Sequence, residues 1–417
     1  MKQTVWLTAL LVLGAVAPSH GHSLMRAKAA RVACDPLRGE CLVQQGEHLV
    51  VWAGEEARTL RAPALSGEGA RAYPVALRGG VLMSAVAVDE TPYHVVTDAA
   101  GEILAEVLTP ERTRLAEDGS AVVTAVSTKK GDVKFAEQVL GEVLSLGFAG
   151  TAVKSCVLAP KECRLDLYPG LDLPLARFRA LTHGEIVAAY VGGPLARLRR
   201  GERVWATSRS FTAGQAEIAH VSHVRGEILV GEAVRGRVVV VSLADGAELF
   251  AWEVALDPSF LTKFLGKDDS QELLRQCAKP REESARLGGS PEPFTPQGYP
   301  SDWRWRVAAA GFDGTSAAIL PNGDLLLGGG APCTVRGELE CPERGWVWVV
   351  SRAHGTVANA ATITSLFPEV AELKWNSTGW LESDDRGNVF VFLDLPGADT
   401  VFYRFPPDFF EFPKSAR

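Results

Sequence analysis

Apolar residues along this chain come in short runs, and seven of the runs start directly after a glycine. They are Gly46 to Trp52, Gly80 to Val86, Gly119 to Ala125, Gly184 to Tyr190, Gly226 to Gly231, Gly323 to Gly328 and Gly387 to Phe392. Runs of this length bounded by turn residues predict β-strands, and a helical period is nearly absent from the chain. Two segments show the unit most fully. Gly226 to Trp252 reads as strand, Arg235-Gly236 turn, strand, Asp245-Gly246 turn, strand; an Asp-Gly pair suits a tight hairpin because glycine tolerates positive φ. Gly323 to Val357 reads as a strand to Gly328, a cysteine-bearing loop, a strand at Trp346 to Val350, a turn at His354-Gly355 and a third strand. The seven glycines stand 34, 39, 65, 42, 97 and 64 residues apart. Three- or four-stranded meanders recurring at about 40 residues predict an all-β chain folded as a β-propeller. Seven blades is the central expectation, with six or eight also fitting; the long intervals hold an insertion or a further blade.

Residues 256–301 break the pattern. Asp257-Pro258 opens a short predicted helix with Phe260, Leu261, Phe264 and Leu265 apolar. Asp269-Ser270 caps a second, Gln271 to Lys279, and a Pro/Gly-rich connector runs on to Pro300. This helical insertion is either a packed decoration or an arm that docks a partner through Phe260, Leu261, Phe264 and Leu265. The expected organisation is a signal peptide at 1–21, propeller at 22–255, insertion at 256–301, closing propeller at 302–412 and a tail at 413–417. Residues near the mature N-terminus are expected to pair with strands near Phe402 to Phe405, closing the ring and hiding its edges.

The signal follows from Lys2, the apolar stretch Val5 to Ala17, and small residues Ser19 and Gly21 before a cut after Gly21. No later run reaches ~18 apolar residues, so no transmembrane segment is expected. A net charge of −7 argues against nucleic acid as a partner. Arg197 to Arg200 is a local basic cluster, read as a solvated loop. Six of the seven cysteines fall into close pairs, Cys34/Cys41, Cys156/Cys163 and Cys333/Cys341. Local disulfides are the simplest connectivity in an exported chain, each adding ~2–3 kcal/mol in the chain-entropy model. Cys277 is left over, as a buried thiol or an intermolecular bridge. Secretion or a periplasmic location follows from the signal and the cysteines together.

Val238 to Trp252 resembles the repeat of quinoprotein-like (PQQ-type) propellers, in which a strand, a small glycine turn and a strand ending in Trp succeed one another. Gly323 to Gly328 with Gly345 to Gly355 resembles blades of large secreted bacterial propellers. Ser383-Asp384-Asp385-Arg386-Gly387-Asn388-Val389-Phe390 fits the Asp-box of sialidase-like propellers, which implies a structural hairpin turn. The resemblance implies the fold, and a fold does not imply a function. The repeated Trp docking pattern and vicinal cysteines of quinone enzymes are missing, as is the arginine set of a sialidase.

Candidate chemistry is sparse. His220 and His223 are a local histidine pair, but the alternation of Ile218 to Val224 predicts a strand, where residues three apart face opposite sides; two separately hydrogen-bonded histidines are expected. His183 and His354 precede glycines and read as turn residues. His22 would begin the mature chain, where amine and imidazole together chelate Cu(II). Asp118, Asp245, Asp313, Asp324, Asp384 and Asp385 read as turn formers, with calcium or paired axial carboxylates as the sharper alternatives. Asn376-Ser377-Thr378 is a glycosylation sequon. Trp303, Trp305, Trp346, Trp348 and Trp375 read as blade packing or as an aromatic platform. No nucleophile elbow, phosphate loop, dinucleotide fingerprint or zinc-protease motif is present, so catalytic residues stay unassigned, no cofactor is expected, and the reading leans away from an enzyme. The expected function is a non-enzymatic binding module for a protein or glycan partner, of unassigned oligomeric state. The alternatives are a hydrolase or lyase with acidic residues at the propeller axis, and a structural component of an extracellular assembly.

Overall fold

The computed structural model describes residues 23–28, 32–35, 37–45, 48–53, 56–63, 65, 71–87, 93–107, 112–128, 148–211, 216–232, 237–253, 317–330, 345–362, 380–384, 387–394 and 399–406. Their strands form seven four-stranded antiparallel sheets, and the fold is an all-β propeller. After β1 (Ser23–Lys28), the first sheet is β2 (Val32–Asp35), β3 (Glu40–Gln45), β4 (His48–Ala53) and β5 (Glu56–Leu60). The second is β6 (Arg71–Arg78), β7 (Val81–Ala87), β8 (Tyr93–Thr97) and β9 (Ile103–Val107). The third is β10 (Thr113–Leu115), β11 (Ala121–Thr128), β12 (Gly150–Val157) and β13 (Glu162–Pro169). The fourth is β14 (Leu175–Thr182), β15 (Glu185–Tyr190), β16 (Leu195–Arg199) and β17 (Glu202–Ala206). The fifth is β18 (Ala216–Ser222), β19 (Glu227–Glu232), β20 (Arg237–Ser242) and β21 (Glu248–Glu253). The sixth is β22 (Ala317–Ile319), β23 (Leu325–Gly330), β24 (Gly345–Ser351) and β25 (Thr356–Thr362). The seventh joins the chain ends: β26 (Trp380–Ser383), β27 (Val389–Asp394) and β28 (Asp399–Phe405) are completed by β1, which runs antiparallel to β28 from Ser23↔Arg404 to Lys28↔Asp399. β1 also packs on β3, so the seventh sheet meets the first. Closure of the ring by the N-terminal strand is thus observed, as its sequence led us to expect.

The unbroken apolar runs have a physical cause. The second strand of a sheet is covered on both faces by neighbouring sheets, so alternation disappears. All six residues of β15 are buried. Ile186, Ala188 and Tyr190 pack towards Val123 and Val153 of the third sheet, while Val187 and Ala189 pack towards Ile218, Ile228 and Val239 of the fifth. The outermost strands instead face solvent: four of the five β5 residues are exposed, all but Leu60. In the fourth sheet burial thus peaks at the second strand and falls towards the rim.

Six of the seven glycine-led runs are second strands, β7, β11, β15, β19, β23 and β27, each entered from the turn that ends the innermost strand. The first sheet departs from the expectation. Gly46 leads the third strand, and the corresponding turn glycine is Gly39, at φ +64. These turns crowd together at one end of the axis. A Cβ at Gly79 would strike the Asp118 carbonyl, and one at Gly119 would strike the Arg78 carbonyl, so the turns of the second and third sheets meet without room for a side chain.

Among the described residues two disulfides are present, Cys34–Cys41 across β2 and β3 and Cys156–Cys163 across β12 and β13. They occupy different places, the inner pair of strands in one sheet and the outer pair in the other. Cys333 and Cys341 lie outside the described residues, as do the 256–301 insertion with Phe260, Leu261, Phe264 and Leu265, Cys277, the signal segment and His22. Arg197 to Arg199 is strand rather than loop. It belongs to β16, where the half-buried Arg197 binds Glu185 (Nε to Oε1, 2.6 Å) and the Leu243 carbonyl of the fifth sheet (2.7 Å). No helix among the described residues is long and apolar enough to cross a membrane.

Candidate functional site

The innermost strands of five consecutive sheets wall a cavity of about 390 Å³. It is lined by Ala33 and Cys34 of β2; Val75, Ala76 and Arg78 of β6; Thr113, Arg114 and Leu115 of β10; Arg179 and Ala180 of β14; and Ala219 of β18. Glu117, Met83 and His94 complete it. The polar groups here are built into the fold. Arg78 donates to the Cys34 carbonyl of the first sheet and to its neighbour Leu77. Arg179 donates through Nε to the Ile218 carbonyl and through Nη2 to the Ala219 carbonyl, both at 3.2 Å, tying the fourth sheet to the fifth. Arg114 donates to the Thr113 carbonyl at 2.8 Å and lies 5.7 Å above the Phe178 ring. Arg78 and Arg179 thus tie neighbouring inner strands together through backbone carbonyls.

Glu117 spans three sheets. Its backbone N–H donates to the Ala180 carbonyl at 2.9 Å, and its buried carboxylate meets Nε2 of His223 at 2.7 Å. Burial pushes this carboxyl up, but the His223 hydrogen bond and the charges of Arg179, His223 and Arg78 outweigh it and hold the group below the usual range. Asp35 shows the opposite balance. Burial raises it above the ordinary carboxylate, against the charge of Arg78 and the N–H groups of Arg38 and Gly80. Its Oδ1 accepts from the N–H of Leu37 (3.1 Å) and of Arg38 (3.2 Å), and its Oδ2 from Gly80 (3.4 Å).

His220 is buried and bridges three sheets. Its Nδ1 accepts the Ile319 N–H at 3.1 Å, so Nε2 carries the proton and donates to Ser383 Oγ at 3.0 Å. Burial pushes the imidazole down to about 4, with the Glu117 charge pulling the other way. The expected strand is there, as β18, but it carries a bulge between Ile218 and His220, and His223 lies beyond its end in the turn. The two histidines are separately hydrogen-bonded, yet both feel Glu117, a grouping that the face-alternation argument did not anticipate.

The turn aspartates spend their oxygens on backbone N–H groups, Asp118 and Asp245 within two residues and Asp324 on the neighbouring turn of its sheet. Asp118 accepts from Ser120 N–H at 2.9 Å, Asp245 from Ala247 N–H at 3.1 Å, and Asp324 from Arg352 N–H at 3.0 Å. Asp384 clasps the Asp-box turn, accepting from the Asn388 N–H (2.8 Å) and side-chain amide (2.7 Å). Asp313 and Asp385 lie outside the described residues, as do Asn376, Trp303, Trp305 and Trp375; Trp348 is buried in β24. His183 and His354 sit in turns, as expected. Among the described residues no three His, Cys, Asp or Glu side chains converge on a metal-sized space.

No family model matches the chain, and no curated protein matches it in sequence. Solved structures resemble it in fold. The Cps50 (Swd1) β-propeller domain of Myceliophteria thermophila is 9% identical, over 92% of this chain and 99% of that one, with a TM-score of 0.48. Virginiamycin B lyase of Staphylococcus aureus is 7% identical over 92% and 99%, with a TM-score of 0.45. A prolyl endopeptidase is 12% identical over 90% of this chain and 46% of that one, with a TM-score of 0.45; this chain spans about half its length.

The axial arginines escaped the sequence reading, although a signal existed. Arg114 and Arg179 each stand five residues before a turn glycine, Gly119 and Gly184, and Arg112 and Arg177 two residues earlier still. Aligning the repeats on those glycines superimposes both pairs.

Proposed function

We propose that the protein is an exported, non-enzymatic propeller that binds a protein or glycan partner at its axis. The observation that supports this most is the cavity walled by five innermost strands, with donors already fixed by backbone carbonyls. Preorganised donors cost little further ordering when a ligand arrives. The two disulfides fit an oxidising compartment, and the signal-like 1–21 segment would deliver the chain there. Distant kinship with quinoprotein-like propellers rests on Val238 to Trp252, which forms the β20–β21 hairpin with Val238 opposite the buried Trp252.

The alternative, a hydrolase or lyase, draws on the opposite shifts of Glu117 and Asp35, since paired groups pushed apart mark acid and base. Two facts weigh against it. Glu117 is engaged by His223, and the fully buried Asp35 meets turn N–H groups rather than the cavity. The test is a glycan and envelope-protein binding panel on the purified protein, with products read by mass spectrometry. Saturable binding without products supports the module; turnover sinks it.

A further inference from the structure

The two disulfides share a construction and differ in what surrounds them. Each joins cysteines that stand directly opposite in adjacent antiparallel strands, Cys34↔Cys41 and Cys156↔Cys163, at a sequence separation of 7. The first lies in the inner half of its sheet, where β2 and β3 pack on β6 and β1 lies on β3. Both of its cysteines are only 1% exposed, although Cys34 borders the axial cavity. The second lies at the outer margin of the third sheet. Cys163 is exposed on the outermost strand, β13, between exposed Glu162 and Arg164, and Cys156 is half-buried on β12. Exchange begins when a thiolate attacks one sulfur of a disulfide, so access sets which bond reacts and at which end. The hairpin has other supports. β12 and β13 pair along eight residues each, from Gly150↔Pro169 to Val157↔Glu162. Arg164 donates to Asp166 (Nε to Oδ1, 2.6 Å) and to the Arg200 carbonyl of the fourth sheet (3.0 Å), and the Tyr168 hydroxyl accepts the Gly201 N–H (3.1 Å). The cysteines stand next to the last pair of the ladder, so opening their bond leaves the rest of the ladder and these ties to the fourth sheet in place.

We propose that Cys156–Cys163 is a thiol-exchange site of the folded protein, with Cys163 as the sulfur that an incoming thiol attacks, while Cys34–Cys41 is a structural bond shielded by the sheets around it. The proposal stands apart from the axial binding reading. Exposed disulfides are the labile ones, and buried ones resist reduction. In the first step the incoming thiolate forms a bond to Cys163 Sγ. The Cys156–Cys163 bond breaks, and its electron pair leaves on Cys156 Sγ, which takes up a proton. With a monothiol the product is this mixed disulfide. With a dithiol the second thiolate attacks the reductant's own sulfur in the mixed disulfide, and Cys163 leaves as a thiol. The reductant is then oxidised to its disulfide, and the protein pair is reduced. The thiol belongs either to a small molecule or to a redox protein.

Exchange under native conditions tests this. The purified protein is blocked with N-ethylmaleimide, freed of excess reagent and exposed to glutathione or to reduced thioredoxin. Samples are trapped at early times with a second alkylating agent, and peptide mass spectrometry follows Cys34, Cys41, Cys156 and Cys163 separately. Glutathione is expected on Cys163, with Cys156 alkylated. Cys34–Cys41 is expected to react at least about a hundredfold more slowly, because its sulfurs must wait for the sheet to open. Urea below the unfolding transition should speed the reaction of Cys34–Cys41 and leave that of Cys156–Cys163 unchanged. The circular dichroism spectrum should be the same before and after Cys156–Cys163 is reduced. Thioredoxin faster than glutathione at equal thiol assigns a redox protein as the source, and the reverse order assigns a small thiol. Equal rates at the two disulfides, glutathione mainly on Cys156, a Cys156–Cys163 rate that climbs with urea, or no exchange in the folded protein would each overturn the proposal.

Discussion

The imidazole of His220 is the most instructive place to perturb the ring, because it links the fifth, sixth and seventh sheets through two hydrogen bonds. Burial lowers its pKa to about 4 from an ordinary 6.5. Protonating Nδ1 would set N–H against the Ile319 N–H, two donors face to face. The sign follows directly. A base with a depressed folded-state pKa binds protons better when unfolded, so its contribution is present in full above pH 6.5 and is lost as the pH falls towards 4. With 1.36 kcal/mol for each pKa unit, the loss between pH 7 and pH 4 is about 3 kcal/mol. His220→Gln keeps one of the two hydrogen bonds and does not titrate. At pH 7 it should be less stable than wild type by ~1–3 kcal/mol, since one buried partner goes unsatisfied. At pH 4 that gap should close or reverse. Urea unfolding of both proteins at the two pH values reads the difference, and titrations shared by both proteins cancel. A gap of the same size at both pH values would refute the tautomer and burial argument.

Other perturbations have equally definite outcomes. Glu117→Gln removes the charge that faces His223 and should cost ~1.5–3 kcal/mol at pH 7; because the Glu117 carboxyl is held below its ordinary range, the wild-type advantage should fade as the pH drops through the carboxylate range, as read by Tm against pH. Replacing Cys34 and Cys41 together by serine opens a loop with a sequence separation of 7, and denaturation should show a loss of ~2.5 kcal/mol. The same change at Cys156 and Cys163 should cost less, because Cys163 is exposed whereas Cys34 and Cys41 are both buried. Deleting residues 23–28 strips β1 from β28 and leaves an unpaired edge; size-exclusion chromatography should then show self-association that the full chain lacks.

The fold was largely legible in the sequence because a doubly covered strand writes itself as an apolar run behind a turn glycine. β7, β11, β15, β19, β23 and β27 were all found that way. The first sheet was misread for a related reason: Gly46 and Gly39 both precede apolar strands, and nothing local says which turn abuts the axis. Closure by β1 was legible because a ring must pair its ends. The site was less so. Arg114 and Arg179 stand among exposed and buried neighbours on short inner strands, where a lone arginine looks like surface; only alignment of the repeats brings them into register. Glu117 and His223 are 106 residues apart, and no spacing rule joins residues that meet across an axis. The turn aspartates were readable for the opposite reason, since Asp118 and Asp245 bond within two residues of themselves.

The claim at the centre of this account is that the ligand seats among the innermost strands rather than on the outer surface. A crystal structure of the protein with a partner taken from the binding panel tests it most directly. The account predicts that partner in contact with the innermost strands β2, β6, β10, β14 and β18 that wall the cavity. A partner held at the outer strands, with the cavity unchanged, would contradict it.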